Sequence, residues 1–387
     1  MVAATPRTIH HVALPTHRGV AGRSGALADS SAAGRLAADG ATLHIIEMRR
    51  NPLHPANTAA VAAARGVIAA IEPDVVHGHS SIGGMVARLA ARANGVPCVH
   101  TPNGLMTSAA AVTFERVLGR MTDRFIAVSP SEAEQVVALG IVPAWRVVTI
   151  PNGVTLETPA VGAVDPVDLR ERLGLPPATP LVATVARVAA QKAPEQFVRA
   201  CAEVARRRPA VHFLLVGLGP LQHVVDREVA AGGLAGRFHQ IPHLADAGAA
   251  MAQFDVFVLL SRYEGGPYAP LEAMRAAVPV VASDVVGNRD TVHSGVTGFL
   301  TPFGEPAAAA TAIVTLLDDR VRRTGIVAAA GDRLQRDFDV RLMGERLASV
   351  YAELAAGGAA ATRHSTRKLP QASSGQSSKW PDATASQ

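Results

Sequence analysis

A glycine-rich turn between two glutamates is the part of this sequence best suited to chemistry. A short apolar run leads into Glu264, Gly265 and Gly266, and the spacing predicts a helix that opens at Pro270 with Glu272 in its first turn. Backbone N–H groups at such a turn bind anions, and the helix dipole reinforces them. Carboxylates on either side of the anion can reach hydroxyl groups. The pattern suits a ligand in which a sugar, a diphosphate and a ribose follow one another.

The residues just before this helix limit which backbone groups can face the anion. Pro267 has no N–H, so Tyr268 and Ala269 are the expected donors. An alternative without a ligand also fits the spacing. In it, Glu272 only offsets the helix dipole, by about 0.3–1 kcal/mol, and Glu-Gly-Gly only forms a turn. Spacing alone leaves both interpretations open.

Two cations near residue 190 supply the charge that a diphosphate requires. Arg187 and Lys192 lie in the loop after the first predicted strand of the second half, and Lys192 is the only lysine before residue 368. Arginine binds phosphate through a fork and lysine as a point charge. Beside a departing nucleotide, both would lower the barrier to reaction. The alternative is a pair of solvated loop cations.

Three further loops are expected to face the same cleft. Gly217 and Gly219 form half of a dinucleotide fingerprint, but the third glycine is missing, so we predict a tight turn that admits a phosphate rather than a site for NAD. His79 and Asn103 each follow a predicted strand of the first half. They are candidates for contact with the acceptor or the sugar, although a lone loop histidine is more often a hydrogen-bonded structural group.

The sequence shows no convincing spacing for a metal site. Asp337 and Asp339 have Asp-x-Asp spacing, but they adjoin the last predicted helix and are interpreted as capping residues. We therefore expect no metal and no cofactor. Cys98 and Cys201 are expected to be reduced and buried as small apolar side chains.

Short β-rich runs alternate with alanine-rich helical stretches, which is the pattern of parallel βα units. The predicted fold class is α/β, with two Rossmann-like parallel-sheet domains facing across a cleft. The predicted divisions are an acceptor-side domain over 1–155, a nucleotide-sugar domain over 156–335, a helix over 336–356 packing back toward the first domain, and a disordered basic tail over 357–387. The strands are expected near 9–14, 43–46, 75–77, 98–101, 125–128, 147–150, 181–185, 213–216, 238–241, 256–259, 280–282 and 298–300.

The net charge of +5 indicates a binding partner only if it is concentrated in the folded domains. Residues 357–387 carry +3 of it, so the predicted domains hold only +2, and binding to nucleic acid is not expected. No apolar run reaches the roughly 18 residues needed to cross a bilayer. The first residues also lack the pattern of a signal peptide. We expect a cytoplasmic protein.

A basic stripe raises the question of a membrane surface. Arg116, Arg120 and Arg124 recur every four residues, opposite Val117 and Met121 on a predicted helix. A basic amphipathic helix can rest on the inner face of an anionic membrane. We favour the alternative, a solvated surface, and leave peripheral membrane contact open.

The ordered set of these stretches resembles the group 1 (family 4) glycosyltransferases of the GT-B architecture. That family has a pair of glutamates with seven residues between them, as here. The matching stretches are residues 264–272, 187–192, 216–221, 128–132 and 150–154. The resemblance runs from about residue 43 to residue 351.

The resemblance implies roles for four of the residues named above. Glu272 would hold the donor ribose, Glu264 a hydroxyl of the transferred sugar, and Arg187 and Lys192 the diphosphate. It also implies retention of anomeric configuration without a metal, with the leaving phosphate helping to deprotonate the acceptor.

The chain departs from the family at three places. Gly265, Gly266 and Pro267 stand where the family often has Gly-Phe-Gly, and Asn103 stands where a histidine is common. Residues 17–22 replace the glycine pair of the first loop. These three departures are expected to change the contacts with the sugar and with the acceptor.

From these residues we expect a hexosyltransferase that moves a hexose or hexosamine from a UDP- or GDP-sugar to a glycan or lipid-linked acceptor, in polysaccharide or glycoconjugate synthesis. Two alternatives remain. A sugar-nucleotide epimerase on the same scaffold would need no acceptor, and a nucleotide-sugar-binding protein would lack catalysis. A dehydrogenase is the least consistent, because the glycine fingerprint is incomplete.

Overall fold

A computed structural model of the chain describes residues 9–16, 31–156, 168–244 and 247–365. The elements of the first domain are β1 (His11–Thr16), α1 (Ser31–Ala38), β2 (Thr42–Glu47), α2 (Ala56–Ile71), β3 (Val76–His79), α3 (Ser81–Asn94), β4 (Cys98–Thr101), α4 (Ala109–Gly119), β5 (Arg124–Ala127), α5 (Pro130–Ala138) and β6 (Val147–Thr149).

The second domain follows the same alternation of strand and helix. Its elements are α6 (Leu169–Arg172), β7 (Leu181–Val185), α7 (Pro194–Arg207), β8 (His212–Val216), α8 (Gln222–Ala231), β9 (Phe238–Ile241), α9 (Ala247–Ala250), β10 (Val256–Leu259), α10 (Tyr268–Arg275), β11 (Val280–Ser283), α11 (Asn288–Thr291), β12 (Phe299–Thr301), α12 (Pro306–Asp318), α13 (Arg320–Asp337) and the final helix α14 (Val340–Ser365).

Parallel sheets form the centre of both domains. In the described part of the chain, the first domain has a four-stranded sheet in the order β3-β4-β5-β6 and a separate β1-β2 pair, and the second has a six-stranded sheet in the order β12-β11-β10-β7-β8-β9. All of these pairings are parallel. The predicted fold class is confirmed, and each predicted strand lies within two residues of an observed one.

The four central strands of the six-stranded sheet, β7, β8, β10 and β11, are buried on both faces, which explains why they are mostly apolar. Successive side chains alternate between the faces. Phe213 and Leu215 pack with Phe197 of α7 on one side, whereas Leu214 packs with Leu271 of α10 on the other. This sandwich holds the carboxyl ends of the strands, and the loops that follow them, in fixed positions.

The last helix returns to the first domain. Met343, Leu347 and Val350 of α14 pack against Val99 and Ile126 of the four-stranded sheet. The helix continues to Ser365, so the predicted disordered tail is wrong for residues 357–365, where a run of alanines favours helix. The rest of the predicted tail, residues 366–387, lies outside the described residues.

Two chain segments cross between the domains side by side. Val154 N donates to the carbonyl of Phe338 at 2.8 Å, and Val340 N donates to the carbonyl of Val154 at 3.1 Å. The predicted boundary at residue 155 falls directly after this crossing. Residues 157–167 lie outside the described part of the chain.

The prediction that Arg116, Arg120 and Arg124 form a basic stripe on one helix is wrong. Helix α4 ends at Gly119, and Arg124 begins strand β5. Arg116 Nε donates to the carbonyl of Leu139 at 2.8 Å, and Arg124 pairs with Glu353 of α14. The spacing of four residues continues across the end of a helix, so these arginines do not share one face. Within the described residues, no helix combines the length and apolar character needed to cross a membrane.

Candidate active site

The predicted donor-site residues lie at the carboxyl ends of three neighbouring strands. Strand β7 pairs with β10 on one side and with β8 on the other. Ligands of open α/β sheets bind beyond these strand ends. The loops after β10, β7 and β8 therefore share one edge of the second domain, opposite the first domain.

Lys192 and Glu264 are in direct contact at this edge. Lys192 Nζ lies 2.5 Å from Glu264 Oε1, and Glu264 is only 5% exposed. The carboxylate is therefore fixed by a cation rather than by solvent. Gln191 adds a second tie, because its amide donates to the carbonyl of Tyr263 at 3.2 Å and faces Glu264 Oε2 at 3.4 Å.

Arg187 lies in the same loop as Lys192, and its side chain is exposed. The glycine loop after β8 supports the backbone around it. A Cβ atom on Gly217 would lie 2.0 Å from the carbonyl oxygen of Ala186, and one on Gly219 would lie 2.2 Å from that of Val188. The two glycines therefore allow two backbones to touch. This packing role accounts for both glycines without any phosphate, and their predicted contact with a donor stays a prediction.

Replacing Gly217 by alanine is expected to displace the Arg187 loop. The new methyl group would overlap a backbone carbonyl, which cannot move aside as a side chain would, so we expect a loss of about 2 kcal/mol or more in the free energy of unfolding. Gly233 is a matched control, since it also has positive φ but nothing lies within 4 Å of its Cβ position. Urea denaturation of both variants measures the difference, and equal losses would contradict the role assigned to loop contact.

Helix α10 begins two residues earlier than expected. Tyr268 is its first residue and Pro267 its N-cap, so the predicted start at Pro270 is wrong and Glu272 lies beyond the first turn. The N–H groups of the first helical turn have no partner within the helix, so a proline can occupy any position of that turn. Pro270 is the third residue of α10. Tyr268 and Ala269 then carry the first two N–H groups of the helix, beside Gly265 and Gly266. Glu272 is half-buried.

The first domain presents two candidate residues. His79 ends strand β3 and is exposed, and its ring lies 4.0 Å from that of His77. His77 bonds to Tyr351 Oη at 2.6 Å and to Thr101 Oγ1 at 2.8 Å, and burial lowers its pKa well below the usual value. Asn103 follows β4 with φ +56°. The other predicted departure of this domain, residues 17–22, lies outside the described residues.

Contacts between the domains involve residues that sequence reasoning did not select. Asn152 Nδ2 donates to the carbonyl of Gly266 at 2.6 Å, and Tyr268 Oη donates to Asn152 Oδ1 at 3.1 Å. Ser131 bonds to the carboxylate of Asp290 through its hydroxyl. Asn152 lies within residues 150–154, one of the stretches that resemble the family. Asn152 of the first domain therefore contacts both the glycine-rich turn and the first residue of α10.

The carboxylates and thiols outside the cleft have structural surroundings. Asp339 Oδ1 accepts from Arg341 N at 2.8 Å, as a helix cap does, and Asp337 pairs with Arg336. Cys98 and Cys201 are buried free thiols. Among the residues that the structure describes, no three or more His, Cys, Asp or Glu side chains are grouped to hold a metal ion.

Comparison with known protein families assigns both domains. Residues 11–158 match the model described as Glycosyltransferase Family 4, and residues 179–319 match the model described as Glycosyl transferases group 1. Together the two models cover most of the chain and divide where the two sheets divide.

Two curated bacterial proteins illustrate the relationship. The chain is 32% identical over 267 residues to the UDP-Gal:alpha-D-GlcNAc-diphosphoundecaprenol alpha-1,3-galactosyltransferase of Escherichia coli, which covers 64% of this chain and 67% of that protein. It is 33% identical over 287 residues to the D-inositol 3-phosphate glycosyltransferase of Nocardia farcinica, covering 65% and 61% respectively.

Solved structures share the two-domain arrangement at lower identity. Anabaena HepE in complex with UDP and glucose superposes with a TM-score of 0.72 at 22% identity, covering 83% of this chain and 88% of that one. Sucrose-phosphate synthase from Thermosynechococcus elongatus gives 0.71 at 21% identity, covering 92% and 98%. These likenesses establish the GT-B fold, and with the family matches they show that the chain is a glycosyltransferase belonging to the group 1 (family 4) enzymes.

Proposed function

We propose that the chain transfers a hexose or hexosamine from a UDP-sugar to a hydroxyl group of a glycan or lipid-linked acceptor, with retention of configuration and without a metal ion. The observation that carries the proposal is the contact between Lys192 and the buried carboxylate of Glu264. The 2.5 Å contact supports the proposal because a cation suited to a diphosphate and a carboxylate suited to a sugar hydroxyl are neighbours, as the two parts of a donor are.

In the proposed reaction the bond between the anomeric carbon and the β-phosphate oxygen breaks. The negative charge that develops on the phosphate is stabilised by Arg187, Lys192 and the N–H groups of Tyr268 and Ala269. The acceptor oxygen bonds to the same carbon, and its proton passes to the leaving phosphate. Glu264 accepts a hydrogen bond from a sugar hydroxyl throughout.

The choice of UDP rests on similar proteins. The Escherichia coli relative is named for UDP-Gal, and HepE was crystallised with UDP, with UDP and glucose, and with UDP-glucose. That relative is also named for a diphosphoundecaprenol-linked acceptor, which supports a lipid-linked glycan and a place in polysaccharide or glycoconjugate synthesis. GDP stays the alternative nucleotide.

Calorimetric titration and product analysis test the proposal together. UDP and GDP are titrated into the chain in the presence of EDTA, and UDP-hexoses are then incubated with and without a lipid-linked glycan diphosphate. Binding of UDP in EDTA and a glycosylated acceptor are expected. An epimerised nucleotide sugar formed without acceptor would favour an epimerase, and UDP binding without any turnover would favour a binding protein.

Glu272→Ala is expected to weaken UDP binding by about 10–100-fold, because a hydrogen bond to a charged group contributes about 1.5–3 kcal/mol. The proposed ribose contact is made in both the ground state and the transition state, so Kd should rise more than kcat falls. Glu345→Ala, an exposed change on α14, is the control. An unaltered UDP affinity in Glu272→Ala would remove Glu272 from the donor site.

A further inference from the structure

The buried carboxylate of Glu132 joins the ends of two strands in the first domain. Glu132 is the third residue of α5, and its N–H donates to Oγ of the N-cap residue Ser129 at 3.2 Å. In a Ser-x-x-Glu pattern the glutamate side chain ordinarily returns to the N–H of the cap. Here Oε2 accepts from Val128 N at 2.8 Å and Oε1 accepts from Gly104 N at 2.7 Å. The side chain therefore reaches beyond its own helix.

The bond to Gly104 fixes a loop whose backbone is otherwise unfavourable. Asn103 has φ +56° and Gly104 has φ +106°, and a non-glycine residue keeps such a conformation only where its surroundings impose it. Glu132 is 0% exposed. Without this bond, the fully buried carboxylate would lose one of its two N–H partners, which is costly, and the half-buried Gly104 N–H would lose its acceptor.

The same bond lies against the second domain. A Cβ atom on Gly265 would lie 2.4 Å from Gly104 N and 2.7 Å from Glu132 Oε1. The bare backbone of Gly265 therefore covers the bond. Gly265 directly follows Glu264, the residue paired with Lys192. The Asn103–Gly104 loop is thus held next to the loop that the proposed function assigns to the transferred sugar.

The arrangement fits an ionised carboxylate in spite of its burial. Burial and, to a smaller extent, the charge of Asp290 raise the pKa of Glu132, the two backbone N–H bonds oppose them, and the net pKa is about 7. Two N–H donors aimed at two different oxygens match a carboxylate, because both of its oxygens act only as acceptors.

We propose that Glu132 is a positioning residue of the transfer reaction, which holds the Asn103–Gly104 loop against Gly265 so that the two domains enclose the sugar in one orientation. The inference rests on the proposed function. Glu132 touches no substrate and acts through Gly104. Its loss therefore lowers the rate of transfer while the nucleotide site of the second domain keeps its affinity.

Glu132→Gln provides the test. The amide keeps one acceptor oxygen, but its NH₂ group must face one of the two N–H donors, so one bond is lost. With the UDP-hexose that the wild-type chain turns over fastest, kcat is expected to fall about 10²-fold, the usual cost of a small misplacement. The calorimetric Kd for UDP should stay within about twofold. Glu134→Gln, an exposed change on the same helix, should alter neither quantity.

Gly104→Ala reaches the same loop without touching the carboxylate. It keeps the N–H, but alanine is strained at φ +106°, and its Cβ would lie 3.4 Å from Gly265 N. The same separation of kcat from Kd is expected. Wild-type kcat in both variants, or a parallel fall of kcat, UDP affinity and folded fraction, would overturn the inference. A wild-type chain that binds no UDP would overturn the proposed function, and this inference with it.

Discussion

Replacing Lys192 by alanine is expected to lower kcat for sugar transfer by about 10²–10³, the range seen when one group that stabilises developing charge is removed. Lys192 is the cation in contact with Glu264, and in the proposed reaction it also faces the leaving diphosphate. Its loss removes that stabilisation and leaves a carboxylate of 5% exposure without its charged partner. Initial rates with saturating donor measure the effect.

The control for Lys192 is a cation of the same domain that lies away from the strand ends. Arg199 is exposed on α7 and pairs with Glu228 at 2.8 Å, so Arg199→Ala removes an equal charge without reaching the cleft. Exposed pairs of this kind contribute about 0–1 kcal/mol, and turnover should be unaffected. Wild-type turnover in Lys192→Ala would exclude Lys192 from the chemistry.

Replacing Glu115 by alanine is expected to lower the free energy of unfolding by about 3–5 kcal/mol, because it leaves a buried charge without its partner. Arg88 is 0% exposed. Its Nη1 lies 2.8 Å from Glu115 Oε2, its Nη2 lies 3.2 Å from Oε1, and its Nε donates to the carbonyl of Gly84 at 2.9 Å. This pair ties α3, which begins just after His79, to α4.

A double variant separates the cost of the unpaired charge from the cost of the lost pair. Arg88→Met with Glu115→Leu removes both charges and keeps apolar volume, and such replacements are often close to neutral. Urea denaturation followed by circular dichroism should show a much smaller loss for the double variant than for Glu115→Ala. A loss below about 1 kcal/mol for Glu115→Ala would show that Arg88 finds another partner or reaches water.

Strand positions were predictable because they depend on local composition. A strand buried on both faces is a short continuous run of apolar residues, as in Val256–Leu259, and such runs flanked by turn residues became strands of the second sheet. The Lys192–Glu264 contact was also predictable once the fold class was known, since both residues follow strands that lie side by side in the sheet.

Helix ends and contacts distant in sequence were harder to predict. Pro270 indicated a helix start, but Tyr268 begins α10, because proline fits more than one position of a first turn. The arginine spacing of α4 ran past its last residue, Gly119. The bond from Glu132 to Gly104 spans 28 residues, and a Ser-x-x-Glu pattern by itself indicates only a helix cap.

The most direct test of the account is a crystal structure of the chain with UDP, grown in the presence of EDTA. We expect a diphosphate between Arg187 and Lys192 that accepts from the N–H groups of Tyr268 and Ala269, with ribose hydroxyls on Glu272. A nucleotide bound anywhere else, or one that binds only when a divalent cation is added, would contradict it.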